Sequence, residues 1–157
     1  MRLKREWFYG RRRVSKKLFE DCLKRGKLKE FKIPKKRILI EIKAAEDDLE
    51  EAKDRLDKKK YKYATIRAYY SLFHSARTLL YLKGYREKSH YCLKTAIEVL
   101  YVKENLVKPI LIEYFEEALG LREAADYQSV FSRSGALRSL RGAKRFLLEA
   151  KRLLGKK

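Results

Sequence analysis

The chain has 157 residues, of which 45% are hydrophobic and 39% charged, and its formal net charge is +20. This length suits one compact domain with an extension, and such a surplus of positive charge attracts polyanions, so RNA, DNA and anionic membranes are the candidate partners. No apolar run approaches the ~20 residues that cross a bilayer, and no apolar core of a signal peptide follows the first residues, which argues against a membrane and predicts a cytoplasmic protein.

The first 37 residues carry more than half of the surplus charge. They hold 16 Lys or Arg against 4 Asp or Glu, a net of +12, and aromatic residues such as Trp7, Phe8, Tyr9, Phe19 and Phe31 lie between the basic ones. Basic side chains neutralise phosphates, and aromatic rings stack on unpaired bases. A solvated basic face is the alternative. The residues predicted to contact RNA in this segment are Arg11, Arg12, Arg13, Lys16, Lys17, Lys24, Arg25, Lys35, Lys36 and Arg37.

This N-terminal segment, residues 1–36, is predicted to be an arm. Gly10 and Gly26 interrupt it, Leu18 and Leu23 allow a short helix between them, and Pro34 ends it. We expect the arm to become ordered on its ligand or to pack loosely on the remainder of the chain, residues 37–157.

From residue 37 onward, apolar residues recur at helical spacing and no strand is predicted. The first helix has one apolar face, between Ile38 and Leu56, and an acidic opposite face that is not expected to meet nucleic acid. The second, from about Tyr61 to Lys83, is apolar nearly all round, which is typical of a central helix. Gly84 is expected to end it.

Three more helices are expected. One is capped by Ser89 and extends to about Val102, and the next begins at Pro109 and ends near Ala125. The last is capped by Ser134, and its Arg138, Arg141 and Arg145 form a second basic cluster predicted to contact RNA. The predicted fold is therefore all-α, an antiparallel bundle of four to five helices with a basic N-terminal extension.

The two cysteines, Cys22 and Cys92, have neither metal-ligand spacing nor a nearby histidine cluster. We expect two separate reduced thiols, no metal and no cofactor. The chain contains one Asn and one Gln beside many charged residues, a composition that fits a protein from a hot habitat.

The central helix carries the candidate catalytic pair, Arg67 and His74. Seven residues are close to two helical turns, so both side chains lie on one side, ~10 Å apart along the axis. There His74 would move a proton and Arg67 would hold developing negative charge on a phosphodiester. The alternative is structural, with His74 in the core and Arg67 paired with Asp126.

Several residues of this helix and of later ones together resemble the HEPN domain family of small prokaryotic and archaeal proteins, over about residues 38–154. The residues that carry the resemblance are the run Tyr69-Tyr70-Ser71-Leu72-Phe73-His74-Ser75-Ala76-Arg77, then Gly84, His90, Arg122, Ala125, Asp126, Tyr127, Ala143 and Phe146.

The resemblance implies a helical bundle that often forms a homodimer. Many members are metal-independent endoribonucleases with an Arg-x4–6-His motif, which Arg67 and His74 match at the long end of the spacing. The RNA 2′-hydroxyl attacks its own phosphate where the Arg and His of two subunits meet. Some members are toxins paired with a small nucleotidyltransferase antitoxin. Arg122, Asp126 and Tyr127 are expected to pair structurally.

Three functions follow from these patterns. The first is a noncatalytic RNA-binding protein that grips structured RNA, such as ribosomal RNA, through the arm and the last helix. The second is a HEPN endoribonuclease or toxin that uses Arg67 and His74. The third is a partner module for a nucleotidyltransferase. Sequence-specific DNA binding is not expected, because the chain contains no helix-turn-helix signature with a clear recognition helix.

Overall fold

The computed structural model of the chain describes residues 15–156. Within them, residues 15–24 form helix α1, and a two-stranded antiparallel ribbon and five further helices follow. These elements are β1 (Leu28–Glu30), α2 (Lys35–Asp57), α3 (Tyr61–Leu82), β2 (Tyr85–Glu87), α4 (His90–Ile97), a π-helical turn (Glu98–Val102), α5 (Ile110–Tyr127) and α6 (Arg133–Leu154). The predicted mainly helical fold is confirmed.

Helix α3 lies at the centre of the bundle and packs on α2, α5 and α6. Fourteen of its 22 residues are buried, as its nearly continuous apolar sequence predicts. Helix α2 runs antiparallel to α3, and α5 runs antiparallel to α6. Residues near the start of α2 contact the second half of α3, and Leu121 of α5 approaches Gly135 at the start of α6.

The helix ends follow from local chemistry, with one correction. Ser89 caps α4 by accepting a hydrogen bond from the backbone N–H of Cys92, as expected. Gly84 follows α3 with a φ of +79°, a conformation that costs glycine nothing. The predicted cap of α6 at Ser134 is wrong, because the Ser132 side chain accepts from the N–H of Gly135 at 3.0 Å.

The ribbon of β1 and β2 was not predicted. Leu28 pairs with Glu87 and Glu30 with Tyr85 in antiparallel register, so the expectation of no strand after residue 37 is wrong. Each strand has only three residues, too few to show an alternating pattern of side chains. Their pairing depends on a partner more than 50 residues away.

The described part of the N-terminal segment packs firmly on the bundle. Phe19, Cys22 and Leu28 are buried in the main core cluster, so residues 15–33 are not loosely attached. Cys22 and Cys92 form a disulfide that joins α1 to α4, with their Cα atoms 5.9 Å apart. The expectation of two reduced thiols is therefore wrong, since a sequence separation of 70 residues conceals the contact. The division of the chain at residues 36 and 37 stays a prediction.

The contact between α5 and α6 depends on a glycine. A Cβ atom on Gly142 would meet the Cβ of Tyr114 at 3.1 Å, whereas a Cβ on Gly120 would meet nothing within 4 Å. We predict that Gly120→Ala raises the free energy of unfolding by ~0.5–1 kcal/mol through helix propensity. Gly142→Ala gains the same propensity but overpacks the contact, and should be ~1–3 kcal/mol less stable than Gly120→Ala.

Urea denaturation of the two variants measures this difference directly. Because the propensity gain is common to both, equal free energies of unfolding would show that the helices do not approach closely at Gly142.

Candidate functional site

The candidate site lies along the one half-exposed stripe of α3. Arg67, Tyr70, His74 and Arg77 are partly or fully exposed there, at spacings of three and four that place them on one face. Other polar residues of α3 are turned inward. Ser71 donates to the carbonyl of Ala45 in α2, and Thr78 is buried and donates within its own helix.

His74 is held between two carboxylates of α2. Its Nδ1 lies 2.6 Å from Oε2 of Glu41, and its Nε2 lies 3.6 Å from Oδ2 of Asp48. An ionised carboxylate only accepts, so Nδ1 carries the proton of this hydrogen bond. The His74 side chain is 23% exposed, against 6% for Glu41. The imidazole is therefore oriented at Nδ1 by the buried Glu41, and its Nε2 lies beside the more exposed Asp48.

The neighbours of Glu41 stabilise its ionised form in spite of its burial. Burial works to raise the pKa of Glu41, but the hydrogen bond from His74 and the charge of Arg77 outweigh it, and this pKa lies below its ordinary value. The Nη1 atom of Arg77 lies 3.5 Å from Oε1 of Glu41. Arg77 also contacts Oε1 of Glu87 with its Nη2 at 2.6 Å, so β2 contributes to the same network.

Arg67 is paired with Asp48, not with Asp126. Its Nη1 lies 3.2 Å from Oδ1 of Asp48, and its side chain is 52% exposed. Asp126 pairs instead with Nε of Arg122 at 3.1 Å, so the predicted Arg67–Asp126 pair is wrong. Burial raises the pKa of Asp48 and outweighs the opposing charges of His74 and Arg67. Asp48 thus connects the two candidate catalytic residues.

A second polar cluster surrounds Arg122 and adjoins the stripe of α3 at Tyr70. Nη2 of Arg122 donates to the hydroxyl of Tyr70 at 3.2 Å, and its guanidinium lies 5.7 Å from the ring centre of Tyr127. The hydroxyl of Tyr69 hydrogen-bonds Nδ1 of His90. Burial, aided by the charge of Arg122, lowers the pKa of His90 below its ordinary value. Arg122, Asp126 and Tyr127 thus lie together in this second cluster.

The sequence patterns missed the carboxylates of the site. The acidic residues of α2 were expected on the face opposite its apolar one, yet Asp48 and Glu41 face α3, as does Glu87 of β2. One sequence signal could have located Glu41: it follows the apolar Ile38 by three residues and precedes Ala45 by four. This spacing places it on the buried face of α2.

The predicted RNA-binding residues are distributed over two surfaces. Those among the first 37 residues that the structure describes are all exposed, namely Lys16, Lys17, Lys24, Arg25, Lys35, Lys36 and Arg37. On α6, Arg138 and Arg141 are exposed and Arg145 is half-buried. Arg11, Arg12 and Arg13 lie outside the described residues. Within residues 15–156, no cluster of His, Cys, Asp or Glu could hold a metal ion, and no helix is both long and apolar enough to cross a membrane.

Comparison with known proteins identifies the family. The HEPN domain matches residues 40–156, three quarters of the chain. Two proteins of Methanocaldococcus jannaschii are similar, Putative toxin MJ0605 with 37% identity over 89 residues and Putative toxin MJ0142 with 32% over 88 residues. The matched regions are 57% and 56% of this chain, and they span 65% and 60% of those relatives. The chain therefore belongs to the HEPN domain family.

Proposed function

We propose that the chain is a metal-independent endoribonuclease of the toxin type. The observation that carries this proposal is the half-exposed His74, oriented by Glu41 and bridged through Asp48 to Arg67. A histidine whose Nδ1 is held by a carboxylate presents Nε2 for proton transfer. A neighbouring, half-exposed guanidinium is suited to bind a phosphate in bidentate fashion.

In the proposed reaction, His74 accepts the proton of an RNA 2′-hydroxyl. The 2′-oxygen then forms a bond to the adjacent phosphorus, the bond from phosphorus to the 5′-oxygen breaks, and the leaving 5′-oxygen takes up a proton from water. The products are a 2′,3′-cyclic phosphate and a 5′-hydroxyl end. Arg67 breaks its ion pair with Asp48, binds the phosphate and stabilises the negative charge that develops on the phosphate.

The partners belong to this proposal as well. We infer a homodimer, in which the stripe of α3 in one copy faces that of the other and Arg67 and His74 are shared between them. The names of the two relatives support a toxin with an antitoxin partner, and the family resemblance implies that a small nucleotidyltransferase fills that role.

We predict that His74→Ala and Arg67→Ala each reduce RNA cleavage by ~10²–10⁴-fold, the usual contribution of such groups. Cleavage should continue in a chelator, and the ends of the products should be cyclic phosphates. Arg55→Ala is the matched control, because Arg55 also pairs with a carboxylate, that of Glu51, but lies near the far end of α2. Its rate should equal that of the wild type.

The measurement is gel analysis of a labelled RNA incubated with each purified variant. Intact RNA after prolonged incubation with the wild-type protein would refute the proposal. So would unchanged cleavage by His74→Ala.

A second prediction concerns Glu41 as the residue that positions His74. Glu41→Gln removes the negative charge but keeps the size, so the rate should fall by less than in His74→Ala. The variant should also be ~1–3 kcal/mol less stable at pH 7, because a buried charge-assisted hydrogen bond is weakened. The pKa of Glu41 is lower in the folded protein than its ordinary value of 4.5. The stabilisation by ionised Glu41 is therefore fully present above pH 4.5, and it is lost as the pH falls through the pKa of Glu41 in the folded state.

Denaturation of wild type and Glu41→Gln between pH 3 and pH 7 tests this sign. The two stability curves should converge at the acidic end. A difference that is constant with pH would show that Glu41 is not ionised against His74.

A noncatalytic grip on RNA is the second candidate, and the exposed basic residues of α1 and of the start of α2 favour it. Deleting residues 1–36 would remove Phe19 and Leu28 from the core, so substitution is the better test. We predict that replacing Lys16, Lys17, Lys35 and Lys36 by Ala weakens RNA binding and lowers the slope of log affinity against log salt by ~0.7 per lost phosphate contact.

The control replaces two exposed lysines of α2 by Ala. These are Lys43, which pairs with Asp47, and Lys58, which pairs with Asp54. Filter binding over a range of salt concentrations measures both variants. Equal slopes of log affinity against log salt for the fourfold variant and the control would show that this surface does not bind RNA.

A further inference from the structure

A small cavity lies where the ribbon meets the start of α2 and the end of α3. Its volume is about 140 Å³. That is below the ~300–1,000 Å³ of sites that enclose a whole small molecule, so it suits one group of a larger ligand. The lining residues are Phe31, Ile33, Pro34, Arg37, Tyr81 and Arg86. We call it the Arg37–Arg86 pocket.

Two guanidinium groups border this pocket without a neutralising partner among the described residues. Arg37 and Arg86 are exposed, and within residues 15–156 no carboxylate lies within 4 Å of either as an ion pair. In the ribbon, Arg86 stands directly opposite Lys29. Like charges in opposed positions destabilise a strand pair. A bound anion would relieve this repulsion.

The pocket also presents aromatic surface. The side chain of Phe31 is at the mouth and 53% exposed, whereas Tyr81 is 5% exposed and forms part of the wall. The Phe31 backbone is fixed, since its N–H donates to the carbonyl of Gly84 at 2.7 Å. An exposed ring on a fixed backbone beside two arginines has the chemistry that holds a nucleotide, with the base on the ring and the phosphate on the guanidinium groups.

The pocket is close to the candidate catalytic residues and in line with them. Tyr81 follows His74 by seven residues on α3, ~10 Å along the axis, and Arg37 precedes Glu41 by one turn of α2. At ~3.4 Å per nucleotide in a stacked strand, about three nucleotides cover that distance. A strand lying along the seam between α2 and α3 would therefore reach both places.

We propose that the Arg37–Arg86 pocket is a subsite for one nucleotide of single-stranded RNA that flanks the cleaved phosphate. This inference rests on the proposed function. The phosphate lies between Arg37 and Arg86, and the base stacks on Phe31. Composition counted Arg37 among the basic residues of the first 37, whereas the fold places it beside Arg86, which lies outside the basic clusters predicted from the sequence.

The experiment measures binding of a short labelled single-stranded RNA by fluorescence anisotropy, in the His74→Ala background so that the RNA stays intact. The double variant Arg37→Ala/Arg86→Ala should bind at least about tenfold more weakly than its parent. The matched control is Lys53→Ala/Lys60→Ala. It also removes two exposed cations, but Lys53 is ~24 Å from Arg37 along α2 and Lys60 follows the end of that helix. This control should change affinity by less than twofold.

A second arm separates the base from the phosphate. Phe31→Ala should weaken binding of the RNA by ~5–150-fold, which corresponds to the 1–3 kcal/mol of one stacked base. The same change should leave binding of inorganic polyphosphate unaltered, and Phe31→Tyr should retain RNA affinity. An equal loss for RNA and polyphosphate in every variant would show a polyanion surface only, and would overturn the nucleotide subsite.

Cleavage by the otherwise wild-type protein is followed in parallel. Suppose that the protein with His74 intact cleaves RNA, and that the Arg37→Ala/Arg86→Ala variant binds and cleaves as the control does. The subsite is then overturned and the proposed function stands. If the protein with His74 intact cleaves no RNA, but RNA binding depends on Arg37, Arg86 and Phe31, the nucleotide site stands and the proposed function is overturned. Circular dichroism of each variant confirms that the fold is retained.

Discussion

The close approach of α2 and α3 is the contact on which the candidate site depends. Ala45 and Ala52 are fully buried between the helices, and Ser71 donates to the carbonyl of Ala45 at 2.7 Å. Small side chains allow the two backbones to come near each other. Glu41 and Asp48, about one turn before and after Ala45, are thereby brought against α3. With larger residues at this seam, both carboxylates would stand too far from His74 to hold it.

This contact assembles a row in which basic and acidic side chains alternate. Arg67, Asp48, His74, Glu41, Arg77 and Glu87 follow one another in this order. Each buried acid thus has a cationic or hydrogen-bonding neighbour, which offsets the cost of removing it from water. The α3 side chains of the row are more exposed than Glu41 and Glu87. The row therefore combines buried acids with a cation and an imidazole that solvent reaches.

The ribbon connects this row with the basic surface. Successive strand residues point to opposite sides, so β2 directs Glu87 inward to Arg77 and Arg86 outward to the pocket. The N-terminal segment is fastened to the same region by Phe19 in the core and by the disulfide between Cys22 and Cys92. Arg37, one of the basic residues concentrated early in the chain, thus lies at the start of α2 beside the pocket.

Local sequence patterns predict the helices, the central place of α3, the ends at Ser89 and Gly84 and the alignment of Arg67 with His74. All of these depend on residues within about two helical turns of one another, and periodicity records such contacts. Four pairings follow instead from the packing of whole elements: Asp48 with Arg67, Glu41 with His74, Cys22 with Cys92 and Arg86 with Arg37. These partners are separated by 19 to 70 residues. Their meeting depends on how whole helices pack, which no local pattern encodes.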